Sequence, residues 1–529
     1  MAAIGAAFLL LGCQPLPPAD LTILNGPEPS SLDPLLLSGI EELRAVQPIF
    51  EGLTRTDPRS GRAVPGLASK WDLVDHGRTY VFHLRPEVAW STGEPIRASD
   101  VDYSWRRVLE PTNGCPYGSV LFPVRGAEDF ATGKIKDPSG IGLKVLDNQR
   151  FQVELNYPCP YFLDACALPT LTVVPRQAIE RHQDRWVLSH PVPTSGPYQI
   201  EFWRLNDRVR LRKNDHYWDA PNTQCAIVDL LSITSPNTVL NLFHRGDAQI
   251  IWDKPLVPTE LLPTLSRQPE FHSFPMLGTY FLRINTTRKP FDDRRVRQAL
   301  AFSVDKRHMA QRVTALGEEP AQHLVPTVTA NYTRGEGQPH DPNRSRALLE
   351  AAGFPGGKDF PVITLLIDSA GNASSRVNER MAIELKSMWE RELGLRVELR
   401  RMEKKTYLLA QDSLDYDVVR SSWIGDYNDP NTFLELFMSS NGNNRTGWSL
   451  PRYDELLRAA AAEPELSQRA RLLQEAETLL VRDEVPIIPL WFEIGFNLYN
   501  PKAIEGIYPN AVDIHPINGI RRKRPEGSQ

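Results

Sequence analysis

"VNERMAIELKSMWERELGLRVEL" (377–399) holds a complete helix and the strand that follows it. Val377, Met381, Leu385, Met388 and Trp389 recur at spacings of three and four, which places them on one face of a helix. Gly394 marks its end, because glycine accepts the left-handed conformation that closes a helix. Leu395–Leu399 then alternates apolar and polar residues, the period of a half-buried strand. The Met/Trp stripe reads as core packing, not as a surface for a cofactor. A helix feeding directly into a strand is the repeating unit of α/β proteins.

The same alternation extends outward. "TYFLRINTTRKPFDDRRVRQALAFSVDKRHMAQRV" (279–313) reads as a strand, a Pro-containing loop and a helix from about Asp293. Asp292 and Asp293 fall where a helix N-terminus is expected, so capping explains them. "GPYQIEFWRLNDRVRLRKNDHYWD" (196–219) reads as a hairpin turning at Asn206-Asp207. "NLFHRGDAQIIWD" (241–253) reads as a helix end, a Gly-Asp turn and a buried strand. "LTILNG" (21–26) is a short strand, Tyr80–Leu84 a half-buried one, and Ser99 caps a helix with Asp100 in its first turn. Mixed sheets of the α/β kind follow.

The 529 residues exceed what one hydrophobic core usually organises, so several domains are expected. The 41% hydrophobic and 24% charged residues describe a globular protein. With 65 acids against 60 bases, net charge −5, no basic face favours nucleic acid. Arg521–Arg524 belongs to a Pro/Gly-containing tail (521–529) and reads as solvated. The 45 prolines are scattered, which implies many loops and extended segments rather than one linker. No solenoid-type repeat is visible.

Residues 1–12, "MAAIGAAFLLLG", are apolar and too short to span a bilayer as a helix. With Leu10-Leu11-Gly12-Cys13 they resemble the end of a bacterial lipoprotein signal, although no Lys or Arg precedes the apolar run. The resemblance implies that Cys13 is lipidated and that "QPLPPAD" forms a tether. Cys115, Cys159, Cys166 and Cys225 form no C-x-x-C pair and have no His cluster beside them, so no metal site is expected. The Cys159/Cys166 spacing permits a disulfide in an oxidising compartment.

No G-x-S-x-G, H-E-x-x-H, Walker loop or dinucleotide fingerprint occurs, so catalysis has no positive support and no cofactor is implied. "SSWIGDYNDPNTFLEL" (421–436) is more telling, since it sets Asp426 among apolar and aromatic residues. A buried, isolated carboxylate costs several kcal/mol unless a positive charge meets it. Asp429, followed by Pro430, suits a turn.

Seven segments in order, "SLDP", "EGLTRTDPRSGRAVPGLASKW", "WSTGEPIRASDVDYSWRRVLEP", "TSGPYQIEFW", "LRKNDHYW", "INTTRKPFDDRRVRQALAFSVDK" and "RSSWIGDYNDPNTFLELF", resemble the solute-binding proteins of oligopeptide and dipeptide ABC importers, the extracytoplasmic family 5 type. They span about residues 20–510. The resemblance implies a two-lobed flytrap α/β fold with mixed sheets, a hinge and an inserted domain. By analogy domain I covers 20–60, 180–275 and 495–520, domain II 61–179 and domain III 276–494, with hinge crossings near 275 and 494. It implies an extracytoplasmic monomer that hands peptides to a permease and its ATPase, in the periplasm or at the cell surface. A non-peptide cargo (nickel complex, haem, murein peptide) and a peptide sensor without transport are the alternatives.

In this family an Asp in a W-x-x-D-Y motif takes the peptide's α-amino group, which falls here on Asp426, with Trp423 walling the pocket and Tyr427 beside it. Arg420 matches a position that pairs with a short peptide's carboxylate. Asn378 stands where some members have His, and Lys404 where some have Trp. Tyr117, Tyr280, Asn443 and Asn444 fall in segments that line the cleft in relatives.

Overall fold

The computed structural model describes residues 16–523 except Ser38, His190, Asp253, Ala315 and 369–372; the side chains of Thr259, 373–375 and Lys404 are likewise outside it. Cys13 and the tail beyond Lys523 lie outside the described residues.

A ten-stranded mixed sheet runs through both lobes. Its order is Val397–Met402, Ile363–Asp368, Val418–Ile424, Phe271–Ile284, Ile487–Tyr499, Ile250–Ile251, Leu21–Gly26, Ile227–Ser232, Arg208–Lys213 and Tyr198–Arg204. The two longest strands, Phe271–Ile284 and Ile487–Tyr499, pair antiparallel and connect the lobes. Their register shifts between Pro275 and Thr279, just where Pro275 pairs with Ile494. Gly495 is required at this crossing, since a Cβ there would lie 2.7 Å from Met276 Sδ and Phe274 Cε2.

Each lobe has its own core. Leu21, Trp186, Tyr198 and Val228 organise the first, and Val174 and Ile179 pack with them. Trp389, Met381 and Leu385 are fully buried beneath Tyr280, Leu282 and Trp491 in the second. Removing each such side chain from water contributes about 1.5–3 kcal/mol. The helix Ala373–Leu393 ends at Gly394 with φ 70°, and the strand Val397–Met402 follows. Asp293 caps the helix Arg294–Phe302 by accepting the Arg295 N–H at 2.8 Å.

A four-stranded antiparallel sheet, ordered Ala68–Val74, Thr79–Leu84, Arg150–Glu154, Leu143–Val145, forms the inserted domain. Its core gathers Phe82, Trp105, Phe151 and Phe162, and extends to Val173.

Three expectations change. The helix Ala98–Leu109 is capped at Arg97, not Ser99, because Asp100 reaches back to accept the Arg97 N–H at 2.8 Å. Cys159 and Cys166 are both buried in the inserted domain's core as free thiols, as are Cys115 and Cys225 free, so no disulfide joins them. Arg521 and Arg522 are exposed but not a loose tail: they pair with Ile504–Glu505 as a short strand.

Candidate functional site: a crevice at the carboxyl ends of the strands

Ligands of open α/β sheets bind outside the carboxyl ends of parallel strands. Ile363–Asp368 runs parallel to both Val397–Met402 and, over a short overlap, Val418–Ile424, so Asp368 and Ile424 mark such an edge in one lobe. In the other, Ile250–Ile251 runs parallel to Leu21–Gly26 and leads toward Lys254. The two long strands lie between these edges in the sheet order.

Asp426 stands two residues past the end of Val418–Ile424. Gly425 makes the turn possible: its N–H donates to Leu277 O at 2.7 Å, and a Cβ would sit 2.7 Å from Leu277 Cδ2. The Asp426 N–H donates to Thr432 Oγ1 at 3.2 Å, which fixes the backbone. The carboxylate itself has neither an ion pair nor a side-chain hydrogen bond among the described residues. Burial pushes its carboxyl up to about 6.

It lines a cavity of 240 Å³ shared by all parts of the chain: Arg44, Tyr117, Pro169, Ile424 and His515 stand around it. Arg44 pairs with Asp513 at 2.8 Å, and His515 Nε2 lies 2.8 Å from the same carboxylate, so Asp513 answers the cation on that wall. Burial pushes the Tyr117 phenol up to about 12, with Asp426 adding to the effect. A larger cavity of 320 Å³, beside Glu51 and Arg55, has its charges met: Tyr217 and Trp218 donate to Glu51, and Arg55 pairs with Asp219 at 2.8 Å. Unmet charge distinguishes the Asp426 cavity and makes it the candidate site.

The other expected residues divide. Tyr117 shares the Asp426 cavity. Trp423 does not line it: its side chain turns to the opposite sheet face, partly buried against the core of Phe281 and Phe437, and its indole N–H finds no acceptor among the described residues. Tyr427 is buried, stacked on Tyr161, and donates to Glu435 Oε1 at 3.0 Å. Tyr280 is buried, stacked on Trp491 at 4.0 Å, and donates to Asn378 Oδ1 at 2.7 Å. Asn378 in turn donates to Asp368 at 2.7 Å. Arg420 lies over the Tyr280 ring and 3.8 Å from Asp368. Asn443 contributes its carbonyl to Arg283 at 3.0 Å. Asn444 is a loop staple, donating to the carbonyls of Phe437, Met438 and Trp448. The Lys404 side chain lies outside the described residues. Asp429 makes a two-pronged pair with Arg469 at 2.7 and 2.8 Å and accepts the Asn431 N–H.

Sequence reasoning missed Arg44, His515 and Glu493. The first two reach the site only through folding and carry no local signal. Glu493 does: it is a carboxylate inside the apolar run "IIPLWFEIGFNLY" (487–499). Among the described residues no His/Cys/Asp/Glu group is arranged to hold a metal.

Residues 62–445 match the sequence profile of bacterial extracellular solute-binding proteins, family 5 middle. The chain is 33% identical to the oligopeptide-binding protein OppA of Bacillus subtilis over 478 residues, 88% of this chain and 86% of that one. Its fold is similar to an oligopeptide-binding protein structure from Borrelia burgdorferi, with TM-score 0.83, 28% identity and coverage of 96% and 100%. The Escherichia coli murein tripeptide-binding protein MppA matches with TM-score 0.83, 30% identity and coverage of 96% and 99%.

Proposed function

The chain belongs to the bacterial extracellular solute-binding proteins of family 5, and on that premise we propose that its crevice closes on a peptide whose α-ammonium is held by Asp426. The protein is the extracytoplasmic peptide-binding component of an ABC importer. The observation that carries the site reading is the half-buried, unpaired Asp426 carboxylate in a cavity whose other charges are matched.

A receptor for many peptides draws its affinity from what all peptides share. These are two charged ends and a row of backbone N–H and C=O groups. An extended peptide lying along the strand edge satisfies its backbone by strand-like pairing. Its side chains then fall into wet pockets, where water adapts to different residues. The α-ammonium enters the cavity and supplies the charge that Asp426 lacks. Tyr117 bounds that end. Trp423, Tyr427, Tyr280 and Asn444 act by holding the walls in place, while Arg420 and Asn443 belong to the crevice farther from the ammonium. Closure bends the two long strands at their register shift.

In this reading the receptor is a monomer, and acylated Cys13 tethers it to the membrane beside the permease. Native mass spectrometry of protein purified without denaturation tests the cargo. Co-purified masses that fragment as free-amine peptides are expected. A haem, a metal complex or a non-peptide solute in their place would overturn the peptide assignment.

A further inference from the structure

Glu493 lies on the strand Ile487–Tyr499, on the sheet face that Tyr280 and Trp491 share. Gly278, on the strand between, brings it toward Ile424. A Cβ at Gly278 would lie 3.1 Å from Glu493 Cβ and 3.6 Å from Ile424 Cγ1. Ile424, 46% exposed, is uncovered by the helices that bury Tyr280 and Leu282 on this face, so the sheet here forms the crevice floor. Asp426 continues the same edge two residues beyond Ile424.

The Glu493 carboxylate is half-buried and has no ion pair or side-chain hydrogen bond among the described residues. Desolvation raises its pKa, and Lys254 and Arg420 pull it back only in part while Glu318 adds to the rise. Each of those cations already has an acid. Lys254 pairs with the fully buried Glu318 at 2.7 Å, and Arg420 stands 3.8 Å from Asp368. Among the described residues these two cations face three carboxylates, and Glu493 is the one not joined to either in an ion pair. The same balance disfavours a peptide carboxylate at Arg420, because Asp368 and Glu493 would both repel it.

We propose that Glu493 is a specificity residue that receives a second cation of the ligand, a Lys or Arg side chain within its first two residues. This deepens the peptide reading above and rests on it. Ile424 and Glu493 are separated by two strand spacings, roughly 10 Å. A peptide whose ammonium meets Asp426 therefore presents an early basic side chain within reach of Glu493. A partly desolvated charge pair of this kind contributes clear discrimination over a neutral isostere.

Calorimetric titration with Ala-Lys-Ala and with its norleucine counterpart tests this. The native protein should prefer the lysine peptide at least tenfold, and Glu493→Gln should bring the ratio to about one. Glu493→Asp, which keeps the charge, should retain part of the preference, which separates charge recognition from a packing defect. No preference in the native protein, or a ratio unchanged by Glu493→Gln, would overturn the assignment. N-acetylated norleucine peptide separates the two readings. If it binds as well as the free-amine form, the Asp426 reading fails; if only the lysine preference is absent, Glu493 alone fails.

Discussion

Tyr427, the residue directly after Asp426, stacks on Tyr161 of the inserted domain with ring centroids 4.1 Å apart and planes 7° from parallel. Asn431 Nδ2 lies 3.3 Å from both phenol oxygens and 2.6 Å from Glu435 Oε2. Asp426 thus lines the candidate cavity while its neighbour packs into the core of the inserted domain. On the proposed reading, ligand binding and lobe closure share one turn of chain. Aromatic pairs contribute about 0.5–1.5 kcal/mol beyond the area they bury. Tyr161→Ala should therefore weaken peptide binding roughly 3- to 10-fold. The radius of gyration of the peptide-saturated protein, read by small-angle scattering, should also shrink less than in the native protein. Unchanged affinity and unchanged compaction would show that the stack does not report closure.

Acid should loosen the complex. The proposed contact needs ionised Asp426, whose carboxyl is pushed by burial up to about 6 from an ordinary 3.8. Peptide affinity should be flat above about pH 7 and fall as pH drops through 6, by up to about tenfold per pH unit. Glu435, pushed up to about 7 by burial, titrates nearby. Asp426→Asn should abolish the fall and Glu435→Gln should preserve it. The reverse pattern would assign the titration to Glu435.

The same shift acts on folding with a definite sign. Between pH 4 and 6 the unfolded chain has released the Asp426 proton and the folded chain keeps it, so unliganded stability declines as pH rises through that window. Asp426→Asn should then stabilise the unliganded protein at pH 7–8, on the order of 2 kcal/mol. Denaturant unfolding at pH 5 and pH 8 reads this. A destabilised variant at pH 8 would mean that the carboxylate has a partner.

The sequence carried the alternation of helix and strand because apolar spacing survives in one dimension: the 377–399 segment, the 196–219 hairpin and the Asp293 cap are all local. The candidate site was legible in part. A carboxylate between Trp423 and Tyr427 is a local anomaly, so Asp426 stood out. Trp423, Tyr280 and Asn444 lie in the right segments, but strand alternation and loop closure turn their side chains into the protein. Arg44 and His515 are 471 residues apart in the numbering (515 − 44) and meet only through the sheet order. The cap at Arg97 depends on a side chain reaching backward, which propensity alone does not reveal.

Asp429 and Arg469 should matter for stability rather than recognition. Their side chains are only 8% and 5% exposed and joined by two bonds. Removing one partner strands the other, at a cost of about 3–5 kcal/mol. Arg469→Met should lower the urea midpoint accordingly. The ratio of free to N-acetylated peptide affinity should stay as in the native protein. A changed ratio would place the pair in the binding site.

Cys13 should carry the membrane anchor. Its setting is Leu10-Leu11-Gly12-Cys13, and no described helix is long and apolar enough to cross a bilayer. Cys13→Ser should move the protein from the membrane fraction to the soluble one on ultracentrifugation. Retention in the membrane fraction would dispose of the lipid anchor.

The central claim is that Asp426 awaits the ligand's α-ammonium. Calorimetry on four combinations, native or Asp426→Asn protein with a free-amine or N-acetylated form of one peptide, isolates that contact as a coupling energy. Inside a closed crevice the pair is weakly screened. The mutation should cost the free-amine peptide about 3–5 kcal/mol, a loss of roughly 100- to several-thousand-fold, and the acetylated peptide much less. A coupling energy near zero would contradict the account and leave Asp426 facing something other than the peptide's amino end.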